Sequence, residues 1–226
     1  MKPLLGILIL TMLSASANGQ ISYDYFEAGL EKTTFEPFRL TNANTNLIFE
    51  SLDGDGPVFE GSFSFSDNYF AYADFDFTSM DLGRDFLSSL EDVFPGIDLG
   101  SSPAIDLSTQ ALGIGYHTDG NTQFVAKAAF LRRSIDSDFW KVSTLGYVVE
   151  LGGRGLLSDN IEWEANVDYT DYDAGDSGAE PSGESFGVNA ALRYHFGNHF
   201  STDLSASTTK DEVTYGLNFR FNFSRE

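Results

Sequence analysis

The sequence predicts an all-β chain, an antiparallel up-and-down barrel of about ten strands with eight as the alternative count. Three observations carry this. Segment after segment alternates apolar and polar residues, as side chains do on the two faces of a strand. The alternating segments run about ten to thirteen residues, whereas strands of soluble sheets commonly run about five or six. The connections alternate as well, with short turns rich in Asp, Asn and Gly at one end and mostly longer, acidic segments at the other. Ile161–Tyr172 shows the pattern most cleanly: Ile161, Trp163, Ala165, Val167 and Tyr169 share one face, and Glu162, Glu164, Asn166, Asp168 and Thr170 the other.

The chain of 226 residues is long enough for one domain with a sizeable core. Lys2, the apolar run Leu4–Leu13 and the small residues of Ser14–Gly19 have the order of a secretory signal peptide. Residues 1–19 are therefore expected to be removed, leaving 20–226 as the barrel domain. An apolar run of about ten residues is too short to cross a bilayer as a helix, which takes about twenty. In lipid this chain would cross with strands, because only helices and closed barrels satisfy their backbone there. With no cysteine, an exported form is held by its sheet rather than by disulfides. A formal charge of −21 argues against nucleic acid and anionic surfaces as partners.

The first strand reads Ile21–Lys32, with Phe26, Ala28 and Leu30 opposite Tyr25, Glu27, Gly29 and Glu31. Thr33–Gly56 is polar and irregular. Leu47–Leu52 would extend a strand within it, and Asp53-Gly54-Asp55-Gly56 reads as a turn. Val58–Phe65 and Tyr69–Phe77 follow, joined by Ser66-Asp67-Asn68; the second sets Tyr69, Ala71, Ala73, Phe75 and Phe77 against Asp74 and Asp76. Between Thr78 and Asp106, the residues Phe86, Leu87, Leu90, Val93 and Phe94 fall at helical spacing before Pro95-Gly96. That predicts a short amphipathic helix in the second long loop, over the barrel mouth, in the outer leaflet or packed on neighbouring loops.

Leu107–His117 and Thr122–Ser134 pair through Thr118-Asp119-Gly120-Asn121. The second places Phe124, Ala126, Ala128 and Phe130 opposite Lys127, Leu131 and Arg133. After a short loop, Ile135–Lys141, comes Val142–Gly155, then Ser158-Asp159-Asn160 and the strand Ile161–Tyr172. Asp173–Glu184 is an acidic loop. Ser185–Phe196 and Phe200–Thr209 pair through Gly197-Asn198-His199, and Lys210-Asp211-Glu212 turns into Val213–Phe223. The first and last strands both touch the short-turn end, so the sheet can close.

Which side is apolar decides what the barrel is for. A lipocalin-like barrel would carry its bulky apolar residues inside, where room is short. Tyr215, Leu217, Phe219, Phe221 and Phe223 form a row too bulky for such an interior and well suited to lipid. Aromatics near both ends of the apolar faces, as at Tyr69 and Phe77 or Trp163 and Tyr169, fit interfacial girdles. The opening YDYFEAGL, the units FSFSDNYFAYADFDF, LGIGYHTDGNTQFVAKAAF and LLSDNIEWEANVDYTDYD, and the ending YGLNFRFNF resemble the small outer-membrane β-barrel proteins of Gram-negative bacteria, broadly the OmpA/OmpX-like superfamily. The resemblance covers nearly the whole mature chain at the level of pattern. It implies an exported, monomeric barrel in the cell outer membrane, in contact with membrane lipid and lipopolysaccharide. Its partners would be the barrel assembly machinery and periplasmic chaperones. In that family the last strand is the assembly signal and usually ends in a terminal aromatic; here Ser224-Arg225-Glu226 follow Phe223.

The inward set comprises Lys127, Arg133, Arg154, Arg193 and Arg220 with Asp74, Asp76, Glu150, Glu162, Glu164, Asp168 and Asp203. Buried charge is costly unless paired, so these are expected to form a salt-bridged network filling the lumen. A narrow, porin-like, ion-selective pore is the alternative. The three histidines, His117, His195 and His199, all lie at short turns, away from the long loops. That disfavours a lipid-modifying or proteolytic enzyme, which needs an acid–base set facing outward. No catalytic residue, cofactor or metal site is assigned. Asp53–Gly56 resembles part of a calcium loop, but Ser51 stands at the first ligand position and no Glu at the twelfth. Asp171, Asp173, Asp176 and Glu180 form a second acidic cluster, read as a solvated loop rather than a bridge of divalent cations to lipopolysaccharide phosphates. Arg132 breaks the apolar face beyond Phe130 and is a candidate lipopolysaccharide contact.

Overall fold

The computed structural model describes residues 21–36, 39–42, 45–48, 51–81, 104–137, 141–172 and 183–223. Among these residues twelve strands run in chain order: β1 (Tyr25–Phe35), β2 (Arg39–Asn42), β3 (Thr45–Ile48), β4 (Leu52–Ser64), β5 (Tyr69–Asp81), β6 (Ala104–His117), β7 (Thr122–Ser137), β8 (Lys141–Ser158), β9 (Ile161–Tyr172), β10 (Gly183–His195), β11 (Phe200–Thr208) and β12 (Glu212–Asn222). Ten of them close an antiparallel barrel, each paired with its sequence neighbours and β1 pairing both β4 and β12. The remaining two, β2 and β3, pair with each other as a separate two-stranded sheet between β1 and β4 in the chain. Closure satisfies the backbone of every barrel strand and leaves no edge.

The predicted parity holds strand by strand. Along β5 the large residues Tyr69, Phe75 and Phe77 are exposed while Phe70 and Tyr72 are buried inside. Across the described residues, 30 large apolar side chains are exposed on the outer wall. Aromatic contacts gather at its two rims. Near the turns, Tyr69–Tyr116 and Phe200–Phe221 pack at 5.2 and 5.1 Å; near the loops, Tyr169 meets Phe186 at 5.0 Å. Trp163 lies across the outward faces of Gly153 and Gly155 on β8, where a Cβ at Gly155 would meet the indole.

The short turns fall as expected, and Gly120 takes a φ of 113°, which the turn after β6 requires. The upper ends differ. Asp53-Gly54-Asp55-Gly56 is not a turn but the start of β4, with Gly54 opposite Thr33 and Gly56 opposite Glu31. Its glycines face inward against Met80, Thr78 and Phe77, where side chains would not fit. Close packing, not chain reversal, is their reason. Most of Ile135–Lys141, expected to be loop, is strand, because β7 runs to Ser137 and β8 starts at Lys141. Of Leu47–Leu52, Leu47 and Ile48 end β3 and Leu52 opens β4. The helix expected over Phe86–Phe94 lies outside the described residues.

Candidate functional site

The barrel interior is where the charged residues meet. Glu162 sits at the centre of the turn-side half, fully buried, opposite Arg193 in the β9–β10 register. Its Oε1 accepts from Arg154 Nε at 2.5 Å and Arg193 Nη1 at 2.5 Å, and its Oε2 lies 3.0 Å from His195 Nε2. Arg193 continues to Asp203 at 3.2 Å and Glu27 at 3.5 Å. Glu27 also holds Arg220, and Asn218 donates to Asp203 at 3.0 Å. The arrangement follows from register: Arg193 faces both Glu162 and Asp203 on its neighbours, and Arg220 faces Glu27. A continuous ionic layer thus spans the lumen from β8 round to β1. Every charged group in it is ion-paired, the main condition for burying charge, although Arg220 Nη1 has no hydrogen-bond partner among the described residues.

Two smaller clusters lie higher. Lys127 pairs with Glu150 at 2.9 Å and reaches Glu164 at 3.7 Å, with its ammonium 5.7 Å from the Tyr72 ring centre. Arg133 meets Glu212 at 3.3 Å and stands over Tyr172. Three of the expected network members are lumenal but lie outside the pairing: Asp74, Asp76 and Asp168 have no cation within 4.0 Å among the described residues. Their strand faces place them inside, yet the basic residues sit at other heights.

Below the ionic layer the lumen is closed by the chain itself. Residues before β1 turn into the barrel and seat Tyr23, which stacks on His117 at 4.0 Å and Phe70 at 4.6 Å. Its hydroxyl donates to Gln123 Oε1 at 2.8 Å, and Arg154 covers the ring at 4.9 Å. Arg154 Nη1 also donates to the Ser22 carbonyl at 3.3 Å. Phe70 fits because Gly115, beside it on β6, has no side chain to occupy the same space. Asp24 fastens the strap by accepting from the Ser64 amide at 2.6 Å and the Phe223 amide at 2.8 Å.

Sequence parity did not point to this plug, since Tyr23 reads as one more strand residue. Parity set Glu27 and His195 on the polar faces of their strands, but the expected charge network did not include them. His195 takes the inward parity of β10, two residues beyond Arg193, and that was its available signal. Between the ionic layer and the loops a cavity of about 350 Å³ remains, reached by Tyr25, Glu31, Asp74, Lys127 and Tyr172 among others.

Arg132 lies on the outer wall toward the loops, donating to Ser143 Oγ from Nη2 at 3.3 Å. Asp53 pairs with Lys32 at 2.9 Å on the outside rather than closing a calcium loop. Asp171 accepts from the Tyr147 hydroxyl; Asp173, Asp176 and Glu180 lie outside the described residues. Among the described residues no cluster of His, Asp and Glu is arranged to hold a metal ion. No helix there is long and apolar enough to cross a membrane, which leaves strands untouched.

No protein-family model matches the chain, and no curated protein matches it in sequence. Solved structures do match. The translocator domain of the autotransporter NalP from Neisseria meningitidis superposes with a TM-score of 0.53 at 9% identity, over 98% of this chain and 96% of that one. The outer membrane protein OprG from Pseudomonas aeruginosa gives 0.42 at 12% identity, over 93% and 100%. Neisserial surface protein A gives 0.39 at 12% identity, over 89% and 98%. At such identities the likeness concerns fold alone. The fold is that of an outer-membrane β-barrel, closed by ten antiparallel strands.

Proposed function

We propose that the chain is a monomeric outer-membrane barrel of a Gram-negative cell, exported by the signal peptide at 1–19, with a structural or surface-interaction role and no catalysis. One observation carries this reading: the wall with 30 exposed large apolar side chains encloses an ion-paired, plugged interior. Monomeric soluble proteins rarely expose a continuous apolar surface beyond a few hundred Å². Lipid accounts for it, and the aromatic rims sit where headgroups would be. Membrane lipid and lipopolysaccharide are the partners at this wall, with Arg132 as the phosphate contact. The assembly machinery and chaperones would act on the unfolded chain, reading β12 and Phe223.

A narrow, porin-like channel is the second reading, favoured by the cavity of about 350 Å³ above the ionic layer. Single-channel recording in planar bilayers separates the two. The structural reading expects no reproducible steps; stable steps from the parent protein would overturn the filled lumen. A lipid-modifying enzyme is a weaker third reading, because the three histidines contact Glu162, Tyr23 and a backbone carbonyl at the turn side. Overexpression should leave the lipid A profile intact, and a changed profile would establish catalysis.

A further inference from the structure

We propose that the upper lumen is a binding site for a small ammonium-bearing solute, held by the acidic wall of Glu31, Glu60, Asp74 and Asp76. These four carboxylates come from three neighbouring strands, β1, β4 and β5, and line one side of the cavity of about 350 Å³. Register places Glu60 opposite Asp74, with Asp76 two residues further up β5.

The first argument is charge. Among the described residues, nine carboxylates and three cationic side chains line the cavity. All three cations are engaged elsewhere: Lys127 by Glu150 and Glu164, Arg193 by Glu162 and Asp203, and Arg220 by Glu27. None of the four acidic-wall carboxylates has a cation within 4.0 Å among the described residues. An enclosed carboxylate calls for a counter-charge, and none of the described residues supplies one to this wall.

The second argument is a missing donor. Glu60 accepts from the Tyr25 hydroxyl at 2.5 Å and Asp76 from the Thr78 hydroxyl at 3.1 Å. Asp74 Oδ1 is buried and has no hydrogen-bond partner among the described residues, although its side chain lines the cavity. Buried polar atoms are almost always partnered, so a donor belongs at this oxygen.

The chemistry of the site selects an ammonium. No three carboxylates converge tightly enough for a chelated metal ion among the described residues. A group with several N–H donors suits acceptors spread along a wall. Tyr72 beside Asp74 already receives one ammonium, that of Lys127, near its ring, and aromatic faces attract such cations. A volume of about 350 Å³ is at the small end of ligand pockets and suits a short aliphatic amine.

The test is calorimetric titration of the full barrel, refolded in zwitterionic detergent, with 1,4-diaminobutane. Ethylammonium, potassium and magnesium chlorides at matched ionic strength are the comparators. The proposal predicts saturable binding of the amines. It predicts at least tenfold weaker binding for Asp74→Asn and unchanged binding for Asp53→Asn, whose carboxylate lies outside. Should Asp74→Asn fail to refold, Glu31→Gln reads the same loss. The proposal is overturned if the amines give no saturable heat, or if Asp74→Asn and Glu31→Gln bind as the parent does. Equal binding of magnesium would show a general cation atmosphere and overturn it too. So would stabilisation by acid alone without any response to amine, since the proton would then be the counter-charge.

Discussion

Glu162→Ala is the substitution expected to damage the barrel interior most. The parent carboxylate is fully buried and holds Arg154 and Arg193 at 2.5 Å each and His195 at 3.0 Å. Without it Arg193 keeps Asp203 and Glu27. Arg154 loses its only carboxylate within 4.0 Å among the described residues and keeps the Ser22 carbonyl and the Tyr23 ring. Removing one partner of a buried pair typically costs about 3–5 kcal/mol, and the retained contacts of Arg193 put this case at about 3–4. Glu162→Gln keeps a hydrogen-bond acceptor and should cost about half as much. The double variant Arg154→Met/Glu162→Leu should cost less than Glu162→Ala alone, because apolar replacement of a whole buried pair is often close to neutral. Equilibrium urea unfolding in phosphatidylcholine vesicles, followed by tryptophan fluorescence, measures all three, with an unchanged slope showing that the same surface unfolds. A cost for Glu162→Ala below about 1 kcal/mol, the value of solvent-exposed pairs, would refute the reasoning and mean a lumen wet enough to screen its charges.

Other outcomes follow from the same structure. Val149→Arg, on the outer wall midway along β8, should destabilise the vesicle-embedded barrel by about 2–4 kcal/mol, while a cost near zero would remove lipid from that face. Tyr23→Ala unseats the strap at Phe70, His117 and Gln123, so it should give conductance steps in planar bilayers that the parent lacks; identical traces would mean that the plug does not seal. Arg132→Ala should lose stabilisation by lipopolysaccharide in a melting experiment and keep its stability in phosphatidylcholine; an undiminished shift would remove Arg132 from the contact. The parent should also migrate faster on gels before boiling than after, as a folded barrel does, and a chain that does not shift would count against closure.

Much of this fold could be read from alternation alone. The face assignments of β5, β7, β9 and β12 follow directly from parity, because a period of two admits only two registers and the wrong one would put Phe219 and Phe221 beside Arg154. Loop-side boundaries were harder to read. Asp53–Gly56 carries strong turn chemistry, yet packing against Met80 and Phe77 makes it strand. The ionic layer was legible as a set of inward residues but not as pairs. Pairing depends on the height each residue reaches round a tilted barrel, which leaves Asp74, Asp76 and Asp168 without the cations that Glu162 and Asp203 receive. The Tyr23 strap is a tertiary decision, set by the room that Gly115 leaves around Phe70 and by Gln123 a hundred residues away.

The central claim is that the alternating faces are lipid outside and ion-paired lumen inside. The chain has no cysteine, so single nitroxide labels can be placed by cysteine substitution without removing any native thiol. Labels scanned through 147–151 of β8 in vesicles should report high oxygen accessibility at 147, 149 and 151 and low values at 148 and 150. High accessibility to a polar nickel chelate at 147, 149 and 151, or no alternation along the scan, would contradict the account.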